Sequence, residues 1–302
     1  VDVIAGSVGQ GGKNNPADVK YVQTALDRHE IWLAPLFGPA VTGICDAGTV
    51  NAITAFQASA AALLKPDGVV SPHGFTIKQL ARAAIPKPSH PIFTQTVFTP
   101  STAALTPADY AAAAKSLACE AAAIQAVAET ETKQAAFDAA GRPTILYERR
   151  IFRRLTRAAY AATHPDISSD EKGNYGAFSA QYPKLTRAAV LDEQAALQSA
   201  SWGAFQIVGE YYAQAGFGAV ADFVTAMMQS QRRHLDAFVA FIAADAPMLK
   251  ALQTLNWAGF ARLYNGPDYA TNAYDTKMAQ NYAALAPPAP PAPKAAPPAP
   301  KK

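Results

Sequence analysis

The chain has 302 residues, half of them apolar and only 16% charged, which is enough apolar material for two domain cores and a tail. A net charge of +3, scattered along the chain, excludes a dedicated nucleic-acid surface and supports at most a weak attraction to an anionic polymer. No apolar run reaches the length that spans a bilayer, and the opening VDVIAGSVGQGG has neither the basic nor the apolar region of a signal peptide, so stable membrane insertion is not expected. The two cysteines, Cys45 and Cys119, lie far apart and form no CxxC. His29, His73, His90, His164 and His234 show no zinc-ligand spacing, so neither a disulfide framework nor a metal or other cofactor is expected.

Asn15-Pro16-Ala17-Asp18 starts a helix, with Asn15 as cap and Pro16 at its first position. Val19, Val22, Gln23 and Leu26 then follow the helical period to about Arg28. The Pro- and Gly-punctuated stretch LAPLFGPAVTGICDAG leads to a second helix, Thr49 to Ala60, with Val50, Ala52, Ile53 and Phe56 as its apolar stripe. Asp67-Gly68 marks a turn, and a third helix over Ser71 to Ala84 turns Ile77, Leu80 and Ala81 inward. The expected unit is a small three-helix bundle over residues 1–85.

The runs DVKYVQTALD, VTGICDAGTVNAITAFQ and DGVVSPHGFTIKQL resemble the peptidoglycan-binding domain found beside many cell-wall hydrolases. The matching positions are Gly43, Asp46, Thr49, Ala52, Ile53, Phe56 and Gln57, most of which packing and turn chemistry also explain. The resemblance implies a sugar-peptide polymer as ligand; it does not locate a groove.

Residues 86–104 follow, where Pro86, Pro88, Pro91 and Pro100 forbid a continuous helix and favour an extended spacer. Thr106-Pro107 caps a new helix, and Glu120 to Glu131 forms the next. Ile124, Val127, Ala128 and Glu131 share one face of it, so a carboxylate stands on the apolar side, while Glu129 and Gln125 face the wetter side. Burial and the negative end of the helix dipole both favour the neutral acid at Glu131, the property a general acid needs. A hydrogen-bonded or snorkelling Glu near a helix end is the structural alternative. After a turn over 137–144, ILYERRIFRRLT carries a second embedded carboxylate, Glu148, and the cluster Arg149, Arg150, Arg153, Arg154 and Arg157, which could neutralise it in a structural ion pair.

From Asp192 the pattern is read as helical through LDEQAALQSASWGAFQIVGEYYAQAGF. Helices near Val220 to Met228 and Gln231 to Ala244 follow, then short helices around NWAGFARLYNGPDY and a last helix, Asn272 to Leu285. Residues 286–302, APPAPPAPKAAPPAPKK, read as a disordered polyproline tail with a basic end.

Three phrases in order resemble the lysozyme and lytic-transglycosylase superfamily: Glu131-Thr132 leading to Phe137, Ser201 to Ile207, and Tyr264-Asn265-Gly266-Pro267. Across residues 105–285, AVAETET, GRPTILYERRIF, SASWGAFQIVG and FARLYNGPDYATNAYDTKMA resemble the N-acetylmuramidases common among modular phage endolysins. The resemblance implies a mainly α, lysozyme-like catalytic domain that cleaves between N-acetylmuramic acid and N-acetylglucosamine. It implies Glu131 as catalytic acid and Glu148 as an accessory acidic group. Thr130 and Thr132 stand where the family often has Val and Ser, which keeps Glu129 as a rival to Glu131. Gln206 and Asn265 match the amide of an N-acetyl sugar, and Trp202, Tyr264, Tyr269 and Tyr274 offer flat faces to sugar rings. Gly203 is expected with Trp202, Gln206, Tyr264, Asn265 and Tyr274 at the substrate site, and Gly203 and Gly266 also permit tight turns. The expected partner is bacterial peptidoglycan, met in the periplasm or wall by a monomer. A lytic transglycosylase, a secreted antibacterial effector and a non-catalytic wall binder stay open at this point.

Overall fold

The computed structural model describes residues 3–33, 39–101, 103–131, 135–171 and 173–286. Thr132 and all but the first residue of the 286–302 tail lie outside them. Helix accounts for 52% of the chain and the sheets are small, so the class is mainly α.

β1 (Val8–Gly9) precedes α1 (Pro16–Arg28). Asn15 occupies the cap position but does not cap with its own side chain; its Nδ2 donates to Asp18 Oδ2 at 3.0 Å. Asp18 in turn accepts from the backbone N–H groups of Ala5 (3.0 Å) and Gly6 (2.9 Å), tying the first arm to the first turn of the helix. α2 (Ala47–Ala58) starts at Asp46, which accepts from Thr49 N–H at 2.7 Å, and β2 (Val69–Val70) pairs antiparallel with β1. α3 (Phe75–Leu80) is shorter than the 71–84 expected from its stripe, because Gly74 N–H closes a turn on Ser71 O at 3.1 Å before the helix begins.

Two buried glutamines organise the loops of this bundle. Gln23 Oε1 accepts from Thr42 and Gly43 N–H (3.0 and 2.8 Å), while its Nε2 donates to Ile44 O and Thr49 Oγ1. Gln57 repeats the device one helix later: Oε1 accepts from Asp67 and Gly68 N–H (3.1 and 2.8 Å), and Nε2 donates to Val69 O and Thr76 Oγ1. Each glycine so held has a positive φ, 79° at Gly43 and 69° at Gly68, where a side chain would add strain. The match with the peptidoglycan-binding pattern at Gly43, Thr49 and Gln57 therefore falls on loop anchors.

α4 (Pro91–Thr94), α5 (Pro107–Leu117) and α6 (Ala121–Glu131) come next. α5 begins with a capping box in which Thr106 and Asp109 each bond the other's backbone N–H. β3 (Ile145–Tyr147), α7 (Arg149–Leu155), α8 (Gln181–Leu191), α9 (Glu193–Gln198), β4 (Ala200–Trp202) and β5 (Ile207–Val208) follow. The helical reading of 192–217 is corrected here. Glu193–Gln198 is the one α-helical segment there, with a short 3-10 turn at Gly209–Tyr211; β4 pairs with both β3 and β5, with Ile145 opposite Trp202 and Trp202 opposite Ile207. Trp202, Ile145 and Ile207 are all buried, and Gly203, at φ 71°, turns the chain where a helix would have continued. The remaining helices are α10 (Val220–Met227), α11 (Gln231–Ala243), α12 (Ala246–Gln253), α13 (Trp257–Tyr264) and α14 (Tyr274–Leu285). No helix among the described residues is long and apolar enough to cross a membrane.

The chain falls into two compact units. One joins Val1–Ala104 to Gln134–Phe241; the other joins Leu105–Lys133 to Ile242–Lys302. Within the first, buried His164 meets Ala61 O through Nε2 at 2.9 Å, and Arg187 donates to Ala62 O at 2.8 Å while paired with Asp166. The proline-rich stretch is pinned rather than free: Glu193 accepts from His90 N–H at 2.6 Å, and His90 Nε2 lies 2.9 Å from Ala221 O. Its prolines do limit helix to the four residues of α4. In the second unit α6 packs between α5 and α14, and α13 packs on α12 and α14.

Candidate active site

Glu131 is the last residue of α6. Ile124, Val127 and Ala128 of the same face are buried and Glu131 is half-buried, so the apolar stripe does end in a carboxylate. Glu129 is exposed and accepts from Gln125 Nε2 at 3.1 Å on the opposite face. Asn265, the C-cap of α13, donates Nδ2–H to Glu131 Oε1 at 2.6 Å, and its own Oδ1 is buried without a partner among the described residues. The bond occupies Oε1 as an acceptor for the amide. Tyr264 stacks on Phe260, ring centroids 5.3 Å apart; burial, and then the charge of Glu131, push its hydroxyl well above the ordinary tyrosine range.

The end of α6 is held from α14. Asn281 Nδ2 donates to Thr130 Oγ1 at 3.0 Å, and Thr130 donates back to Ala126 O at 2.7 Å. At the other end of α6, Tyr282 OH donates to Glu120 Oε2 at 2.7 Å. Thr130, a departure from the expected Val, is thus buried and bonded. Tyr274 opens α14 half-buried, with Lys277 Nζ 6.0 Å from its ring centroid. Tyr269 sits half-buried on the turn between α13 and α14.

In the first unit Glu148 links β3 to α7 and is half-buried; its backbone N–H donates to Ser199 O at 2.7 Å. Its side chain does not cap α7. Instead Oε2 accepts from Tyr175 OH at 3.1 Å. Burial raises the pKa of Glu148, opposed by the Tyr175 hydrogen bond and by Arg150. The arginine cluster mostly pairs elsewhere among the described residues: Arg149 with Glu171, Arg153 with Asp170 and Arg154 with Glu210. Arg149 is buried, whereas the more exposed Arg153 and Arg154 pairs contribute little stability.

The stretch Ser201 to Ile207 does different work from that expected. Trp202 has no exposed surface and its indole N–H donates to Leu197 O at 3.0 Å, so it fills the core and presents no face to a sugar. Gly203 lies against His234, where an added Cβ would stand 2.7 Å from Nδ1. His234 Nε2 lies 2.7 Å from Met227 O, so Nε2 carries the proton and Nδ1 accepts from Ala204 N–H at 3.1 Å. Burial pushes this imidazole down to about 4. Gln206, at φ 49°, spends both amide hydrogens on Gly203 O (2.8 Å) and Thr144 O (3.2 Å), so it closes the turn rather than offering donors to a ligand.

Glu131, Tyr264, Asn265 and Tyr274 therefore belong to one unit, and Glu148, Trp202, Gly203 and Gln206 to the other. Asn265 meets Glu131 directly. Tyr175 and His234 were missed by sequence reasoning; only the glycines of Gly173-Asn174-Tyr175-Gly176 hinted at a special loop.

The N-acetylmuramidase family profile matches residues 120–286. A crystal structure of the Burkholderia AP3 phage endolysin is 37% identical, covers 88% of this chain and 95% of that one, and superposes with a TM-score of 0.55. No match was found among curated proteins. The chain belongs to the N-acetylmuramidase family. It is a glycoside hydrolase of the lysozyme type, and peptidoglycan is its substrate.

Proposed function

We propose that Glu131 is the general acid that protonates the leaving oxygen between N-acetylmuramic acid and N-acetylglucosamine. The observation that carries this reading is the 2.6 Å bond from Asn265 to Glu131 Oε1 at the carboxyl end of α6, where the helix dipole disfavours a charged carboxylate. Glu129, exposed and bonded to Gln125, lacks such a setting. Glu148 is the accessory carboxylate, acting in its ionised form. Asn265 positions the acid, and Tyr264 and Tyr274 line the sugar. The 1–85 bundle binds the wall and raises local substrate concentration, lowering apparent KM without touching the chemical step.

Similarity to a phage endolysin over most of both chains supports an endolysin-like lytic enzyme working on glycan strands of the wall; we take it to work as a monomer. A net charge of +3 supports a partner list without nucleic acid. The test is Glu131→Gln. Lysis of purified peptidoglycan is expected to fall on the order of 10²–10⁴-fold, while co-sedimentation with the wall is kept. Retained lysis removes Glu131 from the role. Mass spectrometry of wild-type products reads the bond and the ending: a reducing sugar supports hydrolysis, an anhydro sugar a transglycosylase.

A further inference from the structure

The loop GNYGAFSA, residues 173–180, is built outward from the strand that carries Glu148. Gln181 Oε1 accepts from Tyr147 N–H at 3.0 Å, one residue before Glu148, and its Nε2 donates to Tyr175 O (2.8 Å) and Ala177 O (3.1 Å). Lys184 Nζ adds a bond to Tyr175 O at 2.6 Å. Gly173, Asn174 and Gly176 all have positive φ (75°, 52° and 73°), so the loop follows a path that few sequences take. The result is that Tyr175, 37% exposed, reaches back and donates its hydroxyl to Glu148 Oε2.

From this geometry we propose that Tyr175 is a positioning residue for the muramidase reaction: its hydroxyl grips Glu148 by Oε2 and so fixes the orientation in which the carboxylate works. The inference rests on the accessory role assigned to Glu148 above. A half-buried carboxylate on its own drifts towards the neutral form, and a phenol donating to it favours the charged one. The other groups around it leave Tyr175 as the one side chain hydrogen-bonded to it among the described residues. Arg150, on its own helix, acts through charge alone. Arg149 turns to Glu171, Lys184 of α8 is spent on loop carbonyls, and on the α9 side Ser199 O takes the Glu148 backbone N–H. The loop anchors thus have a consequence at the carboxylate, since Gln181 and Lys184 hold the backbone that aims the phenol.

The test is Tyr175→Phe, which keeps the ring and removes only the donor, measured as initial rates on purified peptidoglycan across the acid and neutral range. The acid limb of the rate profile is expected to move up by about half a pH unit or more, with the alkaline limb and KM kept. In a Glu148→Gln background the same substitution is expected to change nothing further. A Tyr175→Phe profile that superimposes on the wild type, or a loss that is equal at every pH or confined to KM, overturns the inference. Failure of the underlying reading looks different. A Glu148→Gln enzyme with full activity removes the accessory role and the inference with it, whereas an impaired Glu148→Gln enzyme beside a silent Tyr175→Phe removes the inference alone.

Discussion

The two compact units differ in how they hold their polar interior. All five histidines lie in the first unit, and four of them, His29, His90, His164 and His234, are buried; the second unit has none. The first unit fixes its loops with imidazoles and with Gln23, Gln57, Gln181 and Gln206. The second relies on alanine-rich helices joined by Asn265, Asn281 and Tyr282. One candidate carboxylate sits in each. Glu131 ends a helix and meets an amide, whereas Glu148 precedes a helix and meets a phenol. Each carboxylate accepts a hydrogen bond that favours its charged form; the helix end opposes this at Glu131, and at Glu148 burial opposes it and prevails, raising the pKa.

The largest effect that can break this comparison is acid. Burial lowers the pKa of each of the four buried histidines, that of His234 to about 4. The folded values lie below the unfolded one, so once pH falls below about 6.5 the unfolded chain binds protons that the folded unit refuses. Stability is full above that value and is lost as pH falls towards 4, by roughly 3 kcal/mol from His234 alone. Hydrogen exchange followed against pH, corrected for intrinsic rates, should show protection falling in β3, β4 and α11 before it falls in α6 and α14. Simultaneous loss in both units would erase the distinction.

A smaller effect sharpens it. Asn265→Asp sets a carboxylate in place of the amide that lies 2.6 Å from Glu131, and like charges that close cannot both ionise freely. Lysis near neutral pH should drop by about 10²-fold, with the melting temperature nearly unchanged near the pH at which one carboxyl is protonated. If Asn265→Asp lyses like the wild type, Asn265 does not position the acid.

The two carboxylates were unequally legible in the sequence. Glu131 stood out because α-helical periodicity is local, and Ile124, Val127 and Ala128 mark its face within one short window. Glu148 was visible as a charge in an apolar run, but its partner is 27 residues away on a loop whose course depends on Gln181, and no spacing rule reports that. Strands β4 and β5 are three and two residues long, too short for alternation to register, so SASWGAFQIV passed for helix. Gly203 makes the tight turn its type suggests, whereas Trp202 fills the core. A tryptophan in a turn motif looks the same in sequence whether it meets a sugar or, as here, Leu197. The paired glutamines of the bundle escaped for a similar cause, since each gathers loop atoms from a distant part of the chain.

The bond between Asn265 and Gly266 also gives the molecule a chemical clock. Asparagine followed by glycine is prone to deamidate, the glycine nitrogen closing on the side-chain carbon and releasing ammonia, after which the ring opens to aspartate or isoaspartate. Here the backbone of Asn265 is helical, with ψ −7°, and its amide is held by Glu131, both of which keep the attacking nitrogen from its target. Ageing at this site therefore waits on opening of the end of α13. Peptide mapping of stored enzyme should find the modified 265 residue accumulating in step with lost lytic activity, so that shelf life reports how often the hold on Glu131 lets go.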